Sequence, residues 1–272
     1  MASSNPVFNN SPAFSPRAST AAQLVRQNTP ATMSAQELTE LYSRPSATPA
    51  QTDRMSYEDT IVKIAVSFGI LAVGALVGWM LPVLFLPAMI VGFVLALVNI
   101  FKKKPSPALI LSYAGVQGLF VGGISAVFES IYTGIVIQAV IGTLAVVGVT
   151  LALFASGKIR ASAKATKIFL IAMFGYLAYS LVNVVLMWTG VTNSAFGLSS
   201  DVKIFGIPLG VLIGVLVVIM GAYSLVLDFD FIQRGVKNRA PRIYGWSGAF
   251  GIMVTVIWLY LEILRLLAIA RN

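Results

Sequence analysis

Residues 64–101 read IAVSFGILAVGALVGWMLPVLFLPAMIVGFVLALVNIF, 38 positions without a charged side chain. At 1.5 Å per residue, one continuous helix of this length would measure about 57 Å, nearly twice the hydrocarbon thickness of a bilayer. The segment must therefore fold back on itself, and Pro82 and Pro87 are the residues at which a helix would break. The stretch predicts two membrane-spanning helices, at about 61–80 and 83–101.

The chain as a whole is also rich in apolar residues and poor in charged ones. Hydrophobic residues make up 57% of the 272 positions and charged residues only 11%, whereas soluble proteins carry roughly 25% charged residues. Five further apolar stretches predict spans, at about 107–128, 131–155, 168–188, 204–227 and 247–270. The predicted fold class is therefore all-α, a polytopic bundle of seven transmembrane helices within residues 57–272. The first 56 residues are rich in Ser, Pro, Ala, Thr and Asn and predict a disordered polar tail.

Glycines recur at four-residue spacing in several predicted spans. They form the series Gly74 and Gly78, then Gly118 and Gly122, then Gly206, Gly210 and Gly214. Small residues at this spacing let two helix backbones approach closely. The spacing favours tight packing within one bundle, and a homodimer interface is the alternative.

Basic residues are concentrated on one side of the predicted bundle. The connections after spans two, four and six hold 11 Lys and Arg residues, whereas the opposite connections hold only Lys203. The positive-inside rule then predicts a cytoplasmic amino terminus and a carboxy terminus on the opposite side of the membrane. The net charge of +9 is mainly this topology signal, and we expect contact with the lipid bilayer rather than with nucleic acid.

Residue types that are absent exclude several classes of enzyme. The chain has no cysteine and no histidine, which removes disulfides, thiol nucleophiles and serine–histidine catalysis. An intramembrane aspartyl protease would need two facing carboxyls, typically with a Gly-x-Gly-Asp segment, and the sequence has no such segment. We therefore expect no enzymatic activity, no cofactor and no fixed metal site.

Acidic residues inside membrane spans are costly to bury, so they pair, reach water or take up a proton. Glu262 lies inside the last predicted span. Two interpretations stay open for it: a structural ion pair with Arg265, three residues later on the same helical face, or a titrating group on an ion or proton path. Asp228 and Asp230 follow the apolar part of the sixth span. They are either ion-sensing acids or interfacial acids neutralised by a basic residue such as Arg234.

Three segments carry a resemblance to a known family. They are GLFVGGIS at 118–125, LVLDFD at 225–230 and WLYLEILRLL at 258–267. In this order, on spans three, six and seven, they resemble the Bax inhibitor-1 family of transmembrane proteins, in particular a bacterial branch with a long polar amino-terminal tail. The resemblance covers about 57–270. It implies a bundle in which the last helix is surrounded by the other six.

The resemblance also implies a function. Characterised bacterial relatives are pH-sensitive calcium leaks, gated by one acid that ends span six and another in span seven. Asp228 matches the first acid and Glu262 is the candidate for the second, although a rise of 1.5 Å per residue places the two at different depths. Thr255 lies at a shallower level and is the alternative occupant of the second position. Gln117 stands where this branch usually has Glu.

Two functional hypotheses follow. The first is a leak for calcium, bound at most transiently at Asp228, with Gln117, Glu129 and Thr255 as a candidate polar pathway; carboxylates suit a hard cation. The second is a non-transporting modulator of a membrane protease or of a stress-response partner, which would be contacted through the tail and the basic loops. Purified protein without ion flux would favour the second.

Overall fold

The structure is a computed structural model that describes residues 53–192 and 194–271. The predicted disordered tail falls outside the described residues as far as residue 52. The next four residues, 53–56, are ordered against the connection between the last two long helices, because an isolated antiparallel bridge joins Arg54 to Pro241.

In the described ranges the chain forms eight α-helices and one short β-hairpin. They are α1 (Tyr57–Met80), α2 (Phe85–Phe101), α3 (Pro107–Ile131), α4 (Ile135–Ala155), α5 (Ala163–Trp188), α6 (Leu198–Asp201), β1 (Lys203–Ile204), β2 (Ile207–Pro208), α7 (Leu209–Lys237) and α8 (Gly245–Ala270). Short 3-10 turns, Pro82–Leu84 and Arg242–Tyr244, precede α2 and α8. All helices except the four-residue α6 are long and apolar enough to cross a membrane, which confirms the predicted seven-span, all-α fold.

The long apolar run breaks where the prolines predict. Leu81 ends α1 in a non-helical conformation, and Pro82 opens the 3-10 turn that leads into α2. Pro87 lies in the first turn of α2. Backbone N–H groups in this turn make no hydrogen bond within the helix, so a proline there costs none. The two proline positions therefore separate two spans without breaking the second one.

Helix α8 is the central helix of the bundle. Fourteen of its 26 residues are buried, whereas in α5, of equal length, one residue is buried. Each of the three hydrophobic clusters in the described residues contains α8 side chains, and Met253, Leu259 and Leu264 are almost fully enclosed. The central position expected for the last helix is confirmed.

The glycine spacing in the first and third spans marks a close helix–helix contact. A Cβ added to Gly78 would overlap the backbone of Leu119, and one added to Gly122 would overlap that of Ala75. These residues bring α1 and α3 together within one chain. Gly206 does not belong to such a helix face, because it lies in the β1–β2 turn with φ of 81°.

The sixth span begins later than predicted. Residues 204–208 were expected to be helical, but they form the β1–β2 hairpin, with Ile204 opposite Ile207. Phe205 and Gly206 both have positive φ, 52° and 81°, which is the geometry of a tight hairpin turn and not of a right-handed helix. The helix therefore starts at Leu209.

The sixth span also ends later than predicted. Helix α7 continues beyond residue 227 as far as Lys237, so Asp228 and Asp230 lie inside it and not at its end. The charges do not stop the helix, because Asp230 forms an ion pair with Arg234 one turn later. Arg234 and Lys237 in the last turn also interact favourably with the helix dipole.

Candidate functional site

Asp228 and Thr255 meet between α7 and α8. The Thr255 hydroxyl donates to Asp228 Oδ2 at 2.7 Å. The Ser224 hydroxyl, one turn before Asp228, lies 3.3 Å from Thr255 Oγ1. A carboxylate and two hydroxyl groups thus converge, and oxygen atoms of this kind are the ligands that a hard cation prefers.

The other carboxylate oxygen of Asp228 lies against the backbone of α8. A Cβ at Gly251 would stand only 2.7 Å from Asp228 Oδ1. Gly251 and Thr255 are one helical turn apart and share a face of α8. The absence of a side chain at Gly251 therefore makes room for the carboxylate beside Thr255.

Among the described residues, Asp228 lacks the basic partner that three other acids of the membrane helices have. Asp59, Asp230 and Glu262 each form an ion pair, whereas no Lys or Arg in the described part of the chain is paired with Asp228. Asp228 is half-buried. A carboxylate held in this way is stabilised by taking up a proton, a cation or water.

Asp230 points away from that site. Two residues along a helix correspond to a rotation of about 200°, so Asp228 and Asp230 lie on nearly opposite faces of α7. Asp230 is paired with Arg234, whose side chain is exposed. The structure therefore contains the neutralising ion pair that the sequence offered as one interpretation of Asp230.

Glu262 belongs to a separate buried cluster between α5 and α8. Its carboxylate forms an ion pair with Arg265 and accepts a 2.9 Å hydrogen bond from the Tyr176 hydroxyl. The guanidinium of Arg265 also lies over the Tyr176 ring, 5.8 Å from its centroid. Glu262 is seven residues from Thr255, about 10 Å along the helix axis, so the structure does not bring Asp228 and Glu262 together.

The remaining polar candidates have partners elsewhere. The amide oxygen of Gln117 in α3 packs against Gly92 of α2. Glu129 accepts hydrogen bonds from the backbone N–H groups of Gly134 at 2.5 Å and Val136 at 3.0 Å, and so caps the start of α4. Of the three residues proposed for a polar pathway, Thr255 alone contacts Asp228 in the described residues.

One charged cluster was missed by sequence reasoning. Asp59 Oδ2 accepts from Lys63 Nζ at 2.5 Å, and Asp59 Oδ1 accepts from Arg242 Nη2 at 2.6 Å. Lys63 also donates to the backbone carbonyl of Arg242 at 2.7 Å and lies 5.7 Å from the ring centroid of Trp246. The available signal was a lysine four residues after Asp59, immediately before the charge-free run.

This cluster lies beside residues 53–56, the segment before α1, which is hydrogen-bonded to the α7–α8 connection. The Met55 N–H donates to the carbonyl of Ala240 at 2.8 Å, and the Arg242 N–H donates to the carbonyl of Asp53 at 2.9 Å. The segment before α1 therefore stabilises the connection between the two helices that carry Asp228 and Thr255.

The site does not have the composition of a resident metal centre. Within residues 53–192 and 194–271, no three His, Cys, Asp or Glu side chains are grouped as metal ligands. Asp228 supplies one carboxylate, and Ca²⁺ takes six to eight oxygen ligands. Even with the hydroxyl oxygens of Thr255 and Ser224, an ion at this position would need water or backbone oxygens to complete its coordination shell.

Comparison with known protein families gives a match over nearly the whole chain. A family model described as "Bax inhibitor 1 like" matches residues 5–272, a range that includes all seven membrane helices. No curated protein matches the chain.

Proposed function

Since the chain belongs to the Bax inhibitor 1 like family, we propose that it is a pH-sensitive cation leak with calcium as its permeant ion. The proposal rests on Asp228, a half-buried carboxylate inside a membrane helix that is hydrogen-bonded to Thr255 and has no basic partner among the described residues. We assign it no enzymatic activity and no cofactor.

Proton uptake by Asp228 provides the gating step in this proposal. The ionised carboxylate attracts a cation and offers it an oxygen ligand, with Thr255 and Ser224 beside it. Protonation removes the negative charge, so the site then binds a cation less strongly. If the occupied site favours the conducting state, calcium flux falls as the pH falls.

Two other acids near this end of the bundle are already paired. Asp59 is neutralised by Lys63 and Arg242, and Asp230 by Arg234. Asp228 is therefore the acid of α7 that we expect to respond to pH.

The same proposal places the protein in a plasma membrane. The basic connections after α2, α4 and α7 are assigned to the cytoplasm, together with the amino terminus, and the carboxy terminus is assigned to the outside. Asp228 is nine residues, about 13 Å, from the end of α7 and so lies in the cytoplasmic half of the bundle.

The test is calcium flux into proteoliposomes from about pH 5 to 8. Asparagine is a neutral substitute of nearly the same shape as the protonated acid. We therefore expect Asp228→Asn to have a flat pH profile, with flux at every pH close to that of the unsubstituted protein at the acid end.

Asp230→Asn is the matched control, because it removes an acid of the same helix that already has a basic partner. It should retain the pH dependence. A pH-dependent flux that survives in Asp228→Asn would remove Asp228 from the mechanism. Purified protein that passes no cation at any pH would support the second hypothesis, a modulator of a membrane protease or another membrane protein.

A further inference from the structure

A small cavity lies where α2 ends, α3 begins and α8 begins. Its volume is about 260 Å³. Lys102, Lys103, Tyr244 and Ser247 give it ammonium and hydroxyl donors, and Ile100 and Phe250 contribute apolar surface. No acidic residue lines it, and neither lysine forms an ion pair in the part of the chain that the structure describes. The cavity is therefore suited to an anion.

The position of the cavity restricts the kind of anion. Phe101 is the last residue of the membrane helix α2, so Lys102 and Lys103 stand at the edge of the apolar layer. The outer surface of α2 below them is strongly apolar and exposed, with Phe93, Leu97 and Ile100. An anionic group bound by the lysines would thus have a hydrophobic surface immediately beside it.

We propose that this cavity binds the phosphate headgroup of an anionic phospholipid, whose acyl chains lie along α2. Basic pockets between membrane helices bind such headgroups through the same combination of charge and apolar contact. A free phosphate ion would use only the charged part of the site. The proposal is independent of calcium conduction, because none of these residues touches Asp228 or Thr255 in the contacts described above.

The test measures the affinity of the purified full-length protein for phosphatidylglycerol and for phosphatidylcholine with the same acyl chains, by native mass spectrometry in detergent. We expect phosphatidylglycerol to bind more tightly. Each lysine near a membrane surface is worth about a fivefold change in affinity, so Lys102→Gln/Lys103→Gln should weaken phosphatidylglycerol binding about 25-fold.

Two further variants distinguish binding in the cavity from non-specific attraction of the lipid to positive charge. Lys164→Gln/Lys167→Gln removes two lysines at the start of α5 and should leave the affinity unchanged. Ser247→Leu fills the cavity while keeping both lysines, and should weaken binding if thermal unfolding shows that the variant is folded.

Four results would overturn the proposal. They are equal binding of phosphatidylcholine, an equal loss in the α5 lysine pair, undiminished binding in folded Ser247→Leu, and displacement of the lipid by inorganic phosphate at comparable concentration. The last result would identify a site for a free anion instead of a lipid.

Discussion

Replacing Glu262 by leucine is expected to lower the free energy of unfolding by about 3–5 kcal/mol, the usual cost of breaking a buried ion pair from one side. Glu262 is only 4% exposed, and its carboxylate is paired with Arg265. The guanidinium cannot lose its proton, so the variant would leave a positive charge largely inside the bundle. Thermal and chemical unfolding of the purified protein in detergent would measure the loss.

The double variant Glu262→Leu/Arg265→Leu is the informative control. Apolar residues that replace both members of a buried pair are often tolerated, so most of the lost stability should return. Tyr176→Phe, which removes the hydroxyl that donates to the Glu262 carboxylate, should cost about 1.5–3 kcal/mol, the usual value of a hydrogen bond to a charged group. A double variant as unstable as Glu262→Leu would contradict the assignment of the pair as the main interaction of Glu262.

The same double variant decides between the two interpretations of Glu262. If the pair is structural, calcium flux and its pH dependence should match those of the unsubstituted protein once stability has returned. If Glu262 titrates on an ion path, a folded double variant should lose the pH response. The ion pair with Arg265 and the hydrogen bond from Tyr176 favour the structural outcome.

The number and type of the helices could be predicted because one property, the length of apolar segments, decides them. The first and last residues of a helix were harder to predict, because apolar length does not determine where a helix begins and ends. Residues 204–208 are apolar enough for a span, but Phe205 and Gly206 adopt a hairpin turn. Asp228 interrupts the apolar pattern, yet the helix continues through it as far as Lys237.

The position of the helices within the bundle could not be read from hydropathy. Helices α5 and α8 are both apolar and both 26 residues long, yet α5 has one buried residue and α8, the central helix, has 14. In a membrane, lipid-facing and protein-facing surfaces are both apolar, so the pattern that marks a buried face in soluble proteins is missing. The central place of α8 was expected from the family resemblance.

The candidate site was predictable only in part. The rise per residue correctly separated Asp228 from Glu262 and pointed to Thr255 at the level of Asp228. The contact of Asp59 with Arg242 joins residues 183 positions apart, and no spacing rule connects them. Such contacts depend on which helix ends meet, and that is decided by packing.

A second large effect is expected at Gly122, in the contact between α1 and α3. The Cβ of Gly122→Ala would overlap the backbone of Ala75, which cannot rotate away as a side chain could. The two helices would have to separate along their whole contact, and overpacking of this kind costs about 3 kcal/mol or more. The apparent melting temperature in detergent should fall markedly.

Gly148→Ala is the matched control for this substitution. Gly148 lies inside α4, and no atom is within 4 Å of the position of its added Cβ. Alanine is a better helix former than glycine, so this variant should be neutral or more stable by up to about 1 kcal/mol. Equal melting temperatures for the two variants would show that α1 and α3 do not pack through Gly122.

The oligomeric state distinguishes packing within one chain from the alternative, a homodimer formed through the same glycines. Within one chain, Gly74 and Gly78 of α1 already face Gly118 and Leu119 of α3, so these surfaces are occupied. Gly122→Ala should therefore lower the stability of the single chain without changing the mass of the complex measured by light scattering. Conversion of a dimer to a monomer by this variant, with the melting temperature unchanged, would place the glycine contact between two chains instead.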